Sequence, residues 1–377
     1  MERTMNLLTK TAPWVMGSLL AAVSAFGQTN SKCPPAQKNM NQGDELVANQ
    51  YMAAYNAPAR IDVRGAWDFY GTASFTYWQP IQENMELGIV DNLIAVTPHH
   101  LYLHDGNVVN MAFDYQPGFK VGFGMNFDHD NWDGFAEYTW FRGTTSTTTT
   151  LDQNDTTQVL LPTWGFPNGH AYFAGTESWR LHMDFADLQL ARSYYNGTSL
   201  TFRPFFGVRG AWIRQHLDVD YTNRVGALTV AQNICEVANS WAVGPRAGLS
   251  SNWLLGEGFR IYGDGAADIL YTRYTHLGFK ETIPLAGVVA DDDIALYNQV
   301  SLGTVRTHLE LELGLGWGTY FDNNNWHVDL SEGYGFQVFF NQNMFRHFQD
   351  DTAAAISNVP NGNLYVQGMT ATARFDF

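Results

Sequence analysis

The 377-residue chain carries 21 Lys and Arg against 37 Asp and Glu, a formal net charge of −16, which disfavours a nucleic-acid partner because a phosphate backbone needs a cationic surface. Charged residues make up 15% and aromatics another 15%, with 35 glycines, whereas an ordinary soluble domain has about 25% charged residues. Mean hydropathy is −0.22, which excludes a bundle of membrane helices; beyond residue 27 no run approaches the ~18 continuous apolar residues of a spanning helix.

Arg3 and Lys10 precede an apolar run from Thr11 to Phe26, and small residues follow. Residues 1–27 therefore read as a signal peptide, with cleavage after Ala25 or Gly27. Residues 28–66 are rich in Asn, Gln and Ala, contain Pro34, Pro35 and Pro58, and lack sustained alternation, as a periplasmic N-terminal segment would. The only cysteines are Cys33 and Cys235. In an oxidising envelope they admit a bridge to each other, links to neighbouring molecules, or two free thiols.

From Trp67 the chain turns to period-2 alternation, the signature of strands with one apolar and one wet face. Trp67–Gln79 opens the series, followed by weaker strands at Met85–Ile89 and Val108–Tyr115. Phe119–Met125 and Trp132–Phe141 come next. A polar loop holding Thr144 to Thr150 leads into Trp179–Arg192, and the tight Asn196-Gly197 turn into Leu200–Gln215. A second long segment reaches Asn239. Trp241–Leu255 and Phe259–Tyr274 then flank Gly256-Glu257-Gly258. After a loop with Asp291, Asp292 and Asp293, Val305–Tyr320 and Trp326–Phe340 surround Asn323-Asn324-Asn325, and Leu364–Phe377 ends the chain on an aromatic residue.

Short turns alternating with long loops, and strands of 10 to 16 residues, describe an all-β transmembrane antiparallel barrel over residues 67–377. About 12 strands are expected, within a range of 10–16, with short periplasmic turns and long external loops. Trp67, Trp132, Trp179, Trp241, Trp253, Trp317 and Trp326 sit near strand ends, where aromatic belts meet headgroups. Closing strands of bacterial outer-membrane barrels end on such aromatics, which makes Phe375 and Phe377 the assembly signal.

Parity assigns the wet face to Arg180, His182, Asp184, Arg203, Arg209, Arg246, Arg260, Asp264, Asp268, Arg306, His308, Glu310, Glu312, His327, Asp329 and Arg374. These residues are expected to line the lumen, as pore-lining groups or as ion pairs that stiffen the wall. Both signs are present, so no ion preference follows. Catalytic candidates are few: His104-Asp105, His129-Asp130 and His182 stand without a nucleophile elbow. Asp128-His129-Asp130 misses the spacing of a calcium loop, and no paired-cysteine zinc spacing occurs. Neither a metal nor another cofactor is expected.

The stretches Pro117-Gly118-Phe119-Lys120-Val121-Gly122-Phe123-Gly124, His129-Asp130-Asn131-Trp132-Asp133, Tyr138-Thr139-Trp140-Phe141, Arg203 to Ile213 and Gly244 to Gly248 resemble the Legionella-type major outer membrane protein family, which has relatives in chlamydia-like bacteria. That resemblance spans about Trp67 to Phe377. It implies a pore-forming outer-membrane protein with no catalytic residues. The expected function is therefore a porin for passive diffusion of small hydrophilic solutes and ions. The alternative is a structural or adhesive surface protein without significant conductance, and a barrel enzyme is a third class. Expected partners are outer-membrane lipid, the barrel-assembly machinery and small solutes. A homo-oligomer or cysteine-linked neighbours remain open, and nucleic acid is excluded.

Overall fold

The computed structural model describes residues 57–64, 68–92, 105–127, 130–152, 158–165, 172–225, 228–282, 293–299, 301–348 and 357–377. The expected signal peptide, most of the expected N-terminal segment, Cys33, Trp67, His104, Asp128, His129, Asp291 and Asp292 lie outside them. Ten antiparallel strands close into a barrel. They are β1 (Phe69–Gln82), β2 (Gln116–Asn126), β3 (Trp132–Thr150), β4 (Ala174–Arg192), β5 (Leu200–Val225), β6 (Leu228–Gly256), β7 (Phe259–Thr282), β8 (Leu302–Phe321), β9 (Trp326–Phe339) and β10 (Leu364–Asp376). Each pairs with its neighbour in sequence, and β1 pairs with β10 from Tyr70↔Asp376 to Gln82↔Leu364, which leaves the barrel no open edge. In hydrocarbon each unpaired edge group would cost several kcal/mol, so closure follows from the environment.

Ten strands rather than twelve form the wall, within the expected range. Glu86–Asn92 and Asn107–Asn110 alternate like barrel strands but pair with each other and with Gln158–Pro162, in a separate three-stranded sheet. The run Thr144 to Thr150 is no loop: it continues β3 and pairs with Ala174–Arg180 of β4. Threonine is β-branched and suits an extended backbone, whatever its polarity. The long segment after Gln215 likewise is strand, since β5 and β6 pair from Trp253↔Leu200 up to Leu228↔Val225.

Four short connections, between β2 and β3, β4 and β5, β6 and β7, and β8 and β9, lie at one end, with both ends of the barrel chain. Backbone in the left-handed region makes them tight: Asp130 and Asn131, then Gly256, Glu257 and Gly258, then Asp322, Asn323 and Asn324. At Gly258 a side chain is excluded twice, by φ of 84° and because a Cβ would lie 2.2 Å from the Gly318 carbonyl oxygen.

The walls invert part-way up. On β5 the outward residues Phe202, Phe206, Val208 and Trp212 are apolar, while Arg203 and Arg209 face inward. Above Trp212 the outward positions become Arg214, His216, Asp218 and Asp220, and the inward ones Ile213, Leu217, Val219 and Tyr221 are buried. On β6 the same change falls between outward Trp241 and outward Asn239. The turn-end half thus has a lipid-facing band, on which Leu311, Leu313 and Leu315 of β8 are each more than 60% exposed. The loop-end half stands beyond that band with a wet outside and an apolar inside.

Candidate functional site

The candidate site is the barrel interior. Its middle is an ion-pair network. Arg209 makes a two-bond contact with Asp187 (Nε to Oδ1 2.7 Å, Nη2 to Oδ2 2.6 Å) and reaches Asp268 at 3.4 Å and Glu310 at 3.3 Å. Arg246 donates to Asp268 at 3.0 Å and to Glu310 at 2.7 Å. His308 Nδ1 lies 2.5 Å from Asp268 Oδ2, and Lys120 Nζ stands 3.8 Å from Glu310 and 4.0 Å from Glu137. Tyr262 donates to Glu312 at 2.7 Å. Seven strands meet here, because inward positions of β2 through β8 recur at one height, and Lys120, Glu137, Asp187, Arg209, Arg246, Asp268 and Glu310 each lie within 4 Å of a group of the opposite sign.

Nearer the turn end a second group follows. Arg203 pairs with Asp133, which also accepts from the Tyr70 hydroxyl at 3.2 Å. Arg260 pairs with Asp329, and Asp376 accepts from Arg374 at 3.0 Å with His327 Nδ1 also at 3.0 Å. The Arg374 guanidinium lies 3.8 Å over the Tyr70 ring. Two polar chambers remain in this half. One of about 310 Å³ is bounded by Arg60, Tyr70, Arg203, Arg260, Asp329 and Arg374. The other, about 200 Å³, is bounded by Lys120, Glu137, Arg203, Arg246, Asp264 and Glu310. Arg203 lines both.

Each end of the interior is covered. At the turn end residues 57–64 run across the barrel base: Ala59 donates its N–H to Ser193, Tyr195 donates to Ala57, and Arg64 donates to Asn324. At the loop end Trp78, Phe141, Trp179, Leu181, Met183, Phe185, Phe339, Leu364 and Val366 form one buried cluster with Met85, Leu87, Leu160, Trp164 and Phe345 from the connecting segments. The charged layer meets this apolar layer where the Arg209 guanidinium lies 5.2 Å over Phe185 and His308 stacks on Phe339 at 4.0 Å.

The structure brings together in the interior the expected residues Arg203, Arg209, Arg246, Arg260, Asp264, Asp268, His308, Glu310, Glu312, His327, Asp329 and Arg374. Arg306 also points inward, under the apolar cap, where its Nη2 lies 3.4 Å from Met344 Sδ. Arg180, His182 and Asp184 do not belong with them. On β4 the inward residues are Trp179, Leu181, Met183 and Phe185, so these three polar groups face out. Asp184 accepts from Arg142 and from the Tyr138 hydroxyl on the outer wall, at 2.9 and 2.7 Å. The physical reason is the inversion: assigning apolar residues to lipid fails where a strand has left the bilayer. Trp179 is likewise no belt residue, being 1% exposed in the cap. Lys120, Glu137, Asp187 and Asp133 join the network without being among the expected lining residues. Lys120 was visible opposite Phe119 and Val121; Asp187 was hidden because it shares parity with Phe185.

A family model described as Legionella pneumophila major outer membrane protein precursor matches residues 62–377. The chain belongs to that family. As a member of the major outer membrane protein family it is an outer-membrane β-barrel. No curated protein matches it. Among solved structures it is similar to the outer membrane protease OmpT of Escherichia coli, at 9% identity, covering 85% of this chain and 99% of that chain with a TM-score of 0.40. A Pseudomonas aeruginosa FadL homologue gives 7% identity, 82% and 89% coverage and a TM-score of 0.27. The P. putida toluene transporter TodX gives 8%, the same coverages and 0.26. At these scores the neighbours add nothing about what this family member does.

Proposed function

We propose that this family member is a closed outer-membrane barrel acting as a structural surface protein, its external strands and loops being the working part. The observation that carries this reading is the double closure of the interior. The apolar cap packs inside the loop end, residues 57–64 cross the turn end, and an ion-pair network spans the middle. Large porins leave an aqueous channel inside 16–18 strands, whereas small barrels have interiors that side chains can fill. Here the two interior chambers lined by Arg203 are about 310 and 200 Å³.

The second reading is the porin expected from the sequence. It is supported by the two polar chambers that share Arg203 as a lining residue. Planar-bilayer recording of the full, refolded protein decides between the two. The closed barrel gives no discrete current steps while showing heat-modifiable migration. Reproducible steps from the unmodified protein would overturn the closed reading and establish the porin. The protein is in either case proposed as a non-enzyme, because Asp133, Asp187, Asp268, Glu310, Asp329 and Asp376 of the interior are each held in ion pairs with arginines.

A further inference from the structure

Above the lipid-facing band, three side chains from two neighbouring strands converge on the outer wall. His216 and Asp218 come from β5, and Cys235 from β6, where Cys235 pairs directly with Asp218. His216 Nε2 is 2.9 Å from Asp218 Oδ1 and 3.7 Å from Cys235 Sγ. One ligand atom from each residue lies within 4.8 Å of the other two. We propose that this His–Asp–Cys cluster is a binding site for a late first-row divalent cation of the Zn²⁺ class.

The donor set is the first argument. Imidazole and thiolate favour Zn²⁺ over Mg²⁺ or Ca²⁺, and a carboxylate completes a set that zinc accepts. Geometry is the second. With Zn–S of about 2.3 Å and Zn–N of about 2.0 Å, a tetrahedral ion separates sulfur and nitrogen ligands by about 3.5 Å. The His216–Cys235 separation of 3.7 Å matches that spacing. The His216–Asp218 pair is a hydrogen bond at 2.9 Å and opens by about 0.4 Å to admit the ion.

The surroundings supply the third argument. Arg180 of β4 donates to Asp218 Oδ2 at 2.9 Å, which holds the carboxylate with Oδ1 turned to His216. Partners of this kind fix ligand orientation at metal sites. A shallow outer groove of about 230 Å³, lined by Arg180, His182, Arg214, His216, Val237 and Asn239, adjoins the cluster. His216 and Asp218 keep 31% and 40% of their side-chain surface exposed. Three protein ligands with an open side leave a fourth position to water or to a donor from another molecule. Binding displaces the thiol proton of Cys235 to solvent, with no change of oxidation state. No linear motif announces this site, because its ligands meet only through strand pairing.

The test uses the full-length, refolded protein in detergent with Cys33→Ser, so that Cys235 is the sole thiol. Co²⁺ is titrated while the near-ultraviolet thiolate-to-cobalt band is followed, and Zn²⁺ is then added. The expected result is a band saturating at one ion per chain and erased by Zn²⁺. Cys235→Ser abolishes the band, and His216→Ala weakens Zn²⁺ binding at least tenfold, both with unchanged heat-modifiable migration. Arg180→Met weakens binding by roughly 10–100-fold, as loss of an orienting partner does. A folded protein with a titratable thiol but no band overturns the proposal. So does Zn²⁺ affinity unaltered by Cys235→Ser, or a Cys235 found oxidised in the isolated protein.

Discussion

Phe69 and Phe377 exchange both backbone hydrogen bonds, at 3.2 Å from the Phe69 N–H and 3.0 Å from the Phe377 N–H. The last residue of the chain is therefore a rung of the ladder that closes the barrel. Its ring stacks on Phe375 at 6.0 Å, which in turn stacks on Trp326 at 5.3 Å. Deleting Phe377 removes a rung and the end of an aromatic ladder at the membrane boundary. The expected outcome is a lower yield of heat-modifiable barrel in outer-membrane fractions, at least severalfold. Normal yield from the truncated chain would show that the seam and the assembly machinery need neither.

The Arg209–Asp187 pair sits 3% and 1% exposed at the centre of the interior. Removing one partner of a buried pair leaves a charge without compensation and costs about 3–5 kcal/mol, whereas replacing both by apolar groups is often nearly neutral. Arg209→Met is expected to lower the urea stability of the lipid-reconstituted barrel by about 3–5 kcal/mol. The double variant with Asp187→Leu should recover at least half of that loss. The residual deficit reports the contacts of Arg209 with Asp268 and Glu310.

The inversion of the walls gives a labelling prediction. Arg214 is outward and exposed on β5, while its neighbour Gln215 is 1% exposed and accepts the Trp179 indole N–H at 3.2 Å. In a Cys33→Ser, Cys235→Ser background, Arg214→Cys should react quickly with a membrane-impermeant maleimide on intact cells, and Gln215→Cys at least tenfold more slowly. Equal rates would mean that the upper half is an open lumen rather than a capped one.

Most of the barrel was legible because alternation does not depend on which face is wet. The turns at Asn196-Gly197, Gly256-Glu257-Gly258 and Asn323-Asn324-Asn325 fix the hairpins by chemistry alone, and β8, with Leu309 to Leu315 against His308 to Glu312, shows its two environments directly. Two features were not legible. Glu86–Asn92 carries the same period as a wall strand, yet only pairing with Val108 and Leu161 reveals that it belongs to the cap. Arg180, His182 and Asp184 kept their parity but changed their meaning, because a strand long enough to leave the bilayer trades its lipid face for a wet one. The meeting of His216 with Cys235 is a product of register and has no sequence spacing to betray it.

His347 ties the loop end to pH. Burial against the Trp164 ring, 4.2 Å away, lowers its pKa below the ordinary histidine value, with the Thr163 carbonyl and Glu86 opposing only in part. Its Nδ1 lies 3.2 Å from that carbonyl, while Nε2 is buried without a partner. The unfolded segment takes up a proton below about pH 6.5 and the packed one resists, so this contribution is full above that pH and declines as pH falls. Hydrogen exchange of residues 340–348 should accelerate between pH 7.5 and pH 5. His347→Phe should flatten that dependence, and an unchanged pH profile in the variant would assign it to another group.

Glu332 is the exception on the lipid-facing wall. On β9 it stands outward between Leu330 and Tyr334, and its cross-strand neighbours are Leu315 and Ala371. Basic residues at a barrel's bilayer midplane cost about 2–4 kcal/mol and carboxylates less. Glu332→Leu is therefore expected to raise the urea stability of the reconstituted monomer by about 1–2 kcal/mol. The sign carries the information. A gain means that Glu332 meets lipid and is retained at a cost, whereas a loss means that a cation outside the chain pairs with it in the membrane. Comparing the variant at two protein-to-lipid ratios separates the cases, because pairing with a second copy weakens on dilution and a lipid contact does not.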